Sequence, residues 1–273
     1  MARTPPGKTL MKPLSPINCL RVGGAHLALL AGFWVGVSPA ALLVFVLGFY
    51  LRVFAVTAIM HRFYSHGSFT MPRWFRFVMT MLACCAGQKG PLTWITSHRA
   101  HHGCADRDGD PHSPHTGGLW HAHLGWLLRR DALPRDPALQ HEFGNAAEIL
   151  WLDRWHFLPM LAWLAALALL GSLASLHSSP LQMLYWGGLV STLAVVHATC
   201  LVNSCGHHFG YRDPRNDDTS GDLPAWLALI CLGDQYHASH HRHPRRLRTG
   251  FFDPTALLIE GLARLGLVRE IER

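Results

Sequence analysis

The chain has 273 residues, of which 49% are hydrophobic and only 15% are charged, whereas soluble proteins usually carry about 25% charged residues. This composition disfavours a soluble enzyme, and a mean hydropathy of +0.15 is too low for a protein wholly inside lipid, so we expect membrane spans joined to a polar cap. The net charge of +7 does not indicate nucleic-acid binding, because the aromatic residues stand in apolar runs rather than between basic residues.

The polar, proline-rich start of the chain predicts a disordered lead over residues 1–18, followed by a single domain over residues 19–273. Four apolar segments in that domain approach the ~20 residues that a helix needs to cross hydrocarbon; they cover about 19–37, 40–60, 158–176 and 181–202. The first also resembles a secretory signal peptide, with VSPAA as its cleavage site. Its long polar lead and the second span that follows at once favour a true span.

The short links between the paired spans contain no Lys or Arg. The positive-inside rule therefore predicts two helical hairpins in the inner (cytoplasmic) membrane, with both termini in the cytoplasm and a cytosolic cap formed by residues 61–157 and 203–273. Arg21 and Arg52 fall inside the predicted spans near an end, where we expect their side chains to snorkel. In the cap, PRWFRFVMTMLACCAG (72–87) fits either a helix on the membrane surface or a buried helix. The seven cysteines form no CxxC pair and predict free thiols in a reducing compartment.

Histidines occur in three boxes, all on the cytoplasmic side of this topology: HRFYSH (61–66), HRAHH (98–102) and HASHH (237–241). Residues at i, i+3 and i+4 share one face of a helix, so each HxxHH box is expected to aim three imidazoles at one point. His61 and His66 diverge by roughly 140° on an α-helix and are expected to approach a metal centre from two sides. Eight imidazoles are too many for one ion and sufficient for two, and imidazole suits Fe, Zn, Cu and Ni alike.

A ninth imidazole follows the last span in VNSCGHH, where Asn203 and His207 stand four residues apart on one helical face. A slip of one residue would replace His207 by His208. His112 and Asp110 are candidates for hydrogen bonding to a ligand, since a metal-bound imidazole usually donates its other N–H to a carboxylate or carbonyl. We expect no metal role for the remaining histidines; His177 lies in an outer link and cannot reach the site.

The motifs exclude two classes of metal enzyme. Ferritin-like di-iron proteins need Glu-x-x-His pairs, and hydrolytic zinc sites of the HExxH type need that motif; neither occurs in this chain. An all-histidine dinuclear centre at a membrane surface fits O₂ activation on a lipid-like substrate, which the protein must hold rigidly away from water.

The boxes, together with GPLTWITSHRAHH, DPHSPHTGGLWHAHLGW, VNSCGHHFG and GDQYHASHHRHP, make the sequence resemble the membrane-bound acyl-CoA (Δ9-type) fatty acid desaturases over roughly residues 40–270. The resemblance implies an all-α integral membrane protein with four transmembrane helices, a cytosolic helical cap and a tunnel for an acyl chain. It implies two Fe²⁺ ions, O₂ and two electrons for the removal of two hydrogens. The implied metal ligands are His61, His66, His98, His101, His102, His207, His237, His240 and His241. Asn203 would hold a metal-bound water.

The chain departs from the family pattern at several positions. Asp234-Gln235 stands where Glu-Gly is usual, Ala238-Ser239 fills a gap that commonly begins with Asn, and Thr96 replaces an Arg that helps to hold CoA in animal members. Arg129 and Arg130 remain as a basic pair, with Trp126 close by, as candidate contacts to the head group of the acyl carrier. The carrier is therefore left open between CoA, acyl-carrier protein and lipid.

No cytochrome b5 motif is present, so a separate electron donor is expected, either ferredoxin or a cytochrome b5-like protein; an acidic one would favour the cationic cytoplasmic face. The alternatives are an acetylenase, a histidine-box hydroxylase or ketolase that inserts oxygen, and, remotely, a membrane metal transporter. A transporter would need polar or ionisable residues inside its spans, and apart from His197 the span interiors are nearly bare.

Overall fold

The computed structural model describes residues 12–130 and 137–273, which are mostly helical. The α-helices are α1 Pro16–Ala28, α2 Gly32–Val35, α3 Pro39–Ala55, α4 Arg73–Cys84, α5 Pro91–Cys104, α6 Pro114–Gly117, α7 Leu119–His123, α8 Pro137–Phe143, α9 Ala147–Arg154, α10 Phe157–Gly171, α11 Pro180–Met183, α12 Ser191–Leu201, α13 His207–Phe209, α14 Ala228–Cys231, α15 His237–Arg242 and α16 Pro254–Arg264. The 3₁₀ segments are Leu29–Ala31, Gly125–Leu128, Ala174–Leu176 and Ala225–Leu227, and the π-helical segments are Val56–Ser65, Leu184–Val190 and Val202–Gly206. Strands β1 Tyr211–Arg212 and β2 Gly221–Asp222 pair antiparallel.

Two helices among the described residues are long and apolar enough to cross a membrane by themselves: Pro39–Ser65, with 27 residues, and Pro180–Phe209, with 30 residues. A third span results if α9 and α10, which are bent by 69°, are counted as one broken helix. The predicted first span does not meet the same criterion, so the structure supports two or three of the four expected spans by length and composition.

The start of the described chain is more ordered than the sequence predicts. Residues 1–11 of the expected disordered lead lie outside the described residues, but residues 12–18 are fixed. Leu14 forms a β-bridge with Arg129, and Ser15 caps α1 by accepting from the Asn18 backbone N–H. The expectation of disorder up to residue 18 is therefore wrong for this part, because a proline at the first helical position and a serine N-cap start the helix at residue 16.

Arg52 does not snorkel, although its place in an apolar span suggested that it would. Its side chain is fully buried and donates to neutral acceptors on three chain segments: the carbonyls of Gly48, Cys85 and Gly187 and the hydroxyls of Ser191 and Thr192. All five guanidinium N–H groups are used in this way. The cation thereby ties α3 to the helix that contains α12 and to the end of α4.

Helix α4, for which the sequence left two interpretations, has both a packed and an exposed face. Phe75 and Met79 are buried in the largest apolar core, where they join side chains of the 56–65 segment and α16. Trp74 and Val78 on the opposite face are exposed. The helix is thus part of the apolar core around Val56–Ser65 and also presents an apolar face outward.

Candidate metal centre

Nine imidazoles from four helical segments converge in two adjacent groups. In each group, one nitrogen from every ring lies within 4.8 Å of the corresponding nitrogens of the other rings. The first group consists of His61, His66, His98, His102 and His240, and the second of His101, His207, His237 and His241. These are the nine histidines that the sequence predicts as ligands, and they form two sites of five and four nitrogens.

Each HxxHH box is divided between the two groups, so the expectation that a box aims three imidazoles at one point is wrong. In the second box, His98 and His102 belong to the first group and His101 to the second. In the third box, His237 and His241 belong to the second group and His240 to the first. Residues i and i+4 differ by about 40° around a helix, whereas i+3 and i+4 differ by about 100°. The i, i+4 pair therefore shares one ion position, and the i+3 imidazole faces the other.

His61 and His66 lie in the same group because the helix between them is not an α-helix. Residues Val56–Ser65 are π-helical, and the i to i+5 hydrogen bond of a π-helix places residues five apart nearly above one another. Their ring centroids are 5.1 Å apart. The divergence of roughly 140° expected from α-helical geometry is thus removed by a backbone feature that the side-chain pattern does not reveal.

Four carboxylates hold the far nitrogen of four of these rings. The Nδ1 atom of His207 lies 2.7 Å from Asp106, that of His101 2.9 Å from Asp110, that of His241 2.7 Å from Asp218, and that of His61 3.2 Å from Asp234. A carboxylate accepts, so Nδ1 carries the proton and Nε2 presents a lone pair in each neutral ring. Of the four, the sequence indicated Asp110, and Asp234 was noted only as a departure from the family pattern. Asp106 and Asp218 were missed, although Asp106 stands in the acidic stretch after the second box and Asp218 in the one between the last span and the third box.

This hydrogen bonding tests whether the residues fit metal ions. His101 and His241 both donate from Nδ1 to aspartate, yet their Nε2 atoms approach to 3.3 Å. Two lone pairs at that distance repel each other unless a cation lies between them. Two nitrogens bound at right angles about 2.1 Å from one ion lie about 3.0 Å apart. The Nε2 pairs His61–His240 and His207–His237 are separated by 2.9 and 2.7 Å, which is close to this distance. The donor set fits metal binding.

Burial favours the neutral form of most of these imidazoles. Together with the charge of neighbouring rings it lowers the pKa of His66 to about 2, and it lowers the pKa well below the usual 6.5 for His98, His101, His102, His237 and His240. Burial alone would raise the pKa of Asp106 and Asp218, but the hydrogen bonds from His207 and His241 outweigh it and hold both values below the ordinary range. Neutral rings beside ionised carboxylates are the form that binds cations.

Two further histidines are placed clearly. His207 is buried within the second group, while the neighbouring His208 is exposed, so a one-residue slip does not occur. His112 packs its ring 4.4 Å from that of His101, but its Nδ1 is 3.8 Å from Asp110, is buried and has no hydrogen-bond partner. Asp110 thus supports a predicted ligand directly, whereas His112 contributes packing.

A cleft lies beside the two groups. It is bounded by Val53, Val56, Thr57, His61, Trp94, His98, Ala198, Thr199, Val202, Asn203, Cys231, Asp234 and His237. The two long helices supply the apolar walls, and three of the convergent histidines open into it. Asn203 therefore lies where the sequence expects it, on the side of the last span that faces the histidines.

One wall of the cleft packs against the His98 ring through residues that lie outside the histidine boxes. Trp94 stacks on His98 with 5.0 Å between ring centroids, and its Nε1 donates to Gln88. The Gln88 amide in turn donates to the Thr199 hydroxyl across the cleft. These three side chains fix the width of the cleft beside His98.

The predicted head-group residues lie against the N-terminal segment. Arg129 donates from its guanidinium to the Lys12 carbonyl, and its own carbonyl accepts from the Asn18 amide at 2.7 Å; the Arg130 backbone N–H donates to Pro13. The Trp126 indole packs 5.1 Å from the His112 ring. The structure brings Trp126 to the edge of the metal centre, while the arginine pair contacts the chain start.

Comparison with known proteins agrees with this geometry. Residues 12–249 match the family model described as fatty acid desaturase. The chain is 29% identical over 276 residues to an sn-1 stearoyl-lipid 9-desaturase of Anabaena variabilis, with 97% of this chain and 96% of that protein covered. It is 31% identical over 256 residues to the sn-1 stearoyl-lipid 9-desaturase of Synechocystis sp., covering 91% and 76%. A hex-5-enoyl-[acyl-carrier protein] acetylenase of Moorena producens is 26% identical, covering 93% and 84%.

The family model spans most of the chain, and the residues that carry the match include all three histidine boxes. The chain therefore belongs to the fatty acid desaturase family and is an oxidoreductase.

Proposed function

We propose that the protein introduces a double bond into an acyl chain with two iron ions and O₂. The observation that carries this is the convergence of nine imidazoles in two adjacent groups beside an apolar cleft. The balanced reaction converts –CH₂–CH₂–, O₂, two electrons and two protons to –CH=CH– and two waters. When bound, iron would supply the oxidising power that side chains lack. The ligands are proposed to be the five and four histidines of the two groups, with Asn203 held to the centre through water.

The residues of the chain bind and orient the substrate. Val53 and Val56 on one helix and Ala198 and Val202 on the other enclose an alkyl chain without polar contacts, which excludes water from the reacting carbons. Trp94, fixed by Gln88, keeps the His98 ring against this wall. The protein thereby holds one pair of methylenes against the metal centre.

We propose a membrane lipid as the acyl carrier. The two stearoyl-lipid desaturases among the relatives support it, and Thr96 leaves the chain without an arginine at the position that helps to hold CoA in animal members. An acyl-carrier-protein substrate, as in the name of the Moorena relative, is the competing outcome. Trp126, Arg129 and Arg130 are the proposed contacts of the head group.

Four spans, one desaturase domain over residues 19–273, and a cap on the cytoplasmic side complete the proposal. The exposed apolar side chains Leu27, Phe33 and Trp34 on the first helical segment support a span there, and the absence of Lys and Arg from the outer links supports the orientation. The electrons would come from a separate acidic carrier, ferredoxin or a cytochrome b5-like protein, attracted by the cationic face.

Expression in a host that lacks desaturases, followed by mass spectrometry of its lipids, tests the reaction. Acyl chains lighter by two hydrogens, carried on glycerolipids, are expected. A gain of one oxygen would replace the proposal by a hydroxylase, and loss of two hydrogens only from an already unsaturated chain would replace it by an acetylenase. Products found only on acyl-carrier protein would contradict the lipid carrier.

The ligand assignment has its own test. His101→Ala should lose metal and activity together, because the second group then keeps three nitrogens. Asn203→Ala should keep most of the metal and lose activity, since its contact is through water. Full metal content and turnover in His101→Ala would contradict the assignment, and full activity in Asn203→Ala would remove the role given to that residue.

A further inference from the structure

Two segments of the cap are unusually apolar at their surface. Residues 223–233, LPAWLALICLG, contain no charged side chain and form the 3₁₀ segment Ala225–Leu227 and α14. Residues 250–259, GFFDPTALLI, contain only Asp253, which is fully buried and paired with Arg62 at 2.9 Å. Neither segment offers a charge to solvent.

The first segment lies at the depth of the spans. Leu232 packs in one cluster with Val53 and Val195, and the Cys231 thiol is 3.8 Å from the Ala198 carbonyl. Val53 precedes His61 by eight residues, so this contact lies on the order of 10 Å deeper along the helix than that histidine. Pro39 begins the same helix at its other end. Counted from Pro39, Val53 lies about 21 Å along the axis, which is less than the thickness of about 30 Å of the hydrocarbon layer.

The second segment continues from the first. The Thr255 backbone N–H donates to Leu232 at 3.0 Å, and the hydroxyls of Thr255 and Thr57 are 2.8 Å apart, so α16 begins beside the upper part of the Pro39–Ser65 span. Its inner face, Ala256 and Ile259, is buried in the core. The outer side chains at its start, Leu257 and Leu258, are apolar and exposed. Charge lies only toward its C-terminal end, where Glu260 pairs with Arg248 and Arg264 is exposed.

The exposed side chains are large. Trp226 is 65% exposed, Leu229 58%, Phe251 90%, Leu257 47% and Leu258 51%. Apolar groups of this size cost free energy in water in proportion to their area, and a contiguous exposed apolar surface marks a partner or a membrane. Their depth beside the spans and the lack of exposed charge point to hydrocarbon.

We propose that residues 225–231, Phe251 and the start of α16, Pro254–Leu258, form a lipid-embedded collar, which enters the leaflet on the metal side and whose outer side chains are covered by lipid acyl chains. Cys231 and Ala198 also line the substrate cleft. The collar is thus the wall between that cleft and the bilayer, and, if the proposed function holds, an acyl chain attached to a membrane lipid enters the cleft laterally past it.

Photocrosslinking tests the collar independently of turnover. Benzoylphenylalanine replaces Trp226, Leu229 or Leu258 in the full chain, which is placed in liposomes of phosphatidylcholine with an alkyne at the end of one acyl chain. Leu47, exposed on a span, is the positive control, and Tyr211, which is 82% exposed on β1 among charged residues, is the matched aqueous control.

Lipid adducts at the three collar positions are expected at yields similar to Leu47 and about tenfold above Tyr211. Yields at the Tyr211 level, with Leu47 still reacting, would overturn the proposal. The same adducts should form after metal removal, because the collar does not depend on turnover. A protein that keeps its metal, crosslinks lipid and yet does not desaturate would refute the proposed function and leave the collar intact.

Discussion

The substitution Asp218→Asn isolates the effect of one proton position on the metal centre. In the native protein, Oδ1 of Asp218 accepts from the Ser220 backbone N–H and hydroxyl, and Oδ2 accepts from Nδ1 of His241 at 2.7 Å. Asparagine has the same shape but only one acceptor oxygen. Because Ser220 offers two donors, the oxygen is expected to stay there, and the amide NH₂ then faces His241.

The consequence is a change of tautomer. Nδ1 of His241 must accept from the new NH₂ group, so the ring carries its proton on Nε2, the atom that faces the second group. Loss of a partner that orients a metal-bound imidazole typically costs about 10- to 100-fold in metal affinity or activity. We expect a loss in this range for both, since the second group would retain three nitrogen lone pairs.

The assay combines elemental analysis of the purified protein with turnover in lipid. Asp213→Asn is the matched control, because Asp213 pairs with Arg215 and Arg242 at the surface and contacts no imidazole of the centre. It should leave both quantities unchanged. Native metal content and turnover in Asp218→Asn would refute the reasoning that carboxylates set the tautomers of this centre.

Three further outcomes are expected. In the metal-free protein, the lowered pKa of the buried histidines means that the unfolded chain binds more protons below pH 6.5, so stability should fall as the pH drops from 6.5 to 5, by up to about 1.4 kcal/mol per histidine per pH unit; unchanged melting temperatures would contradict this. Arg52→Ala removes a donor from each of five buried acceptors, of which the Gly187 carbonyl keeps the Trp163 indole N–H, and should lower the unfolding free energy by at least about 2 kcal/mol, whereas the melting temperature of Arg73→Ala, at an exposed arginine, should not change. Gly221→Ala places a Cβ against the Gly210 backbone and should displace the loop that carries Asp218, with loss of metal; Gly261→Ala, where the Cβ meets open space, should keep it.

The convergence of the nine imidazoles could be predicted because their spacing, and their position next to or between the apolar runs, can be read from the sequence. Their division into five and four could not. It depends on which way each short helix is turned about its axis, and that rotation is set by tertiary contacts such as Asp110 with His101 and Asp218 with His241. The π-helical turns at Val56–Ser65 and Val202–Gly206 likewise have no simple side-chain signature.

The spans show a similar limit. Hydropathy located the two long helices well, since an uninterrupted apolar run is a local property. It misjudged Arg52, because four of the five acceptors that satisfy this cation come from two segments distant in sequence. It also gave no sign of the collar, since residues 223–233 are too short to span a membrane and their depth follows only from contacts with Val53 and Ala198.

Charge balance explains why an all-histidine centre is tenable in a buried site. Nine neutral imidazoles leave the charge of two divalent ions uncompensated, and isolated charges are costly in a medium of low dielectric constant. Four aspartates, one ring away, supply four negative charges, and three of them support the second group through His101, His207 and His241, while Asp234 alone supports the first. Asp234 is in addition shared with Arg62, which reduces its effect. In the proposed centre the two ion positions would therefore be electrostatically unequal: the second would bind a cation more strongly although it has one nitrogen fewer, because the ring nitrogens gain basicity from the carboxylates behind them.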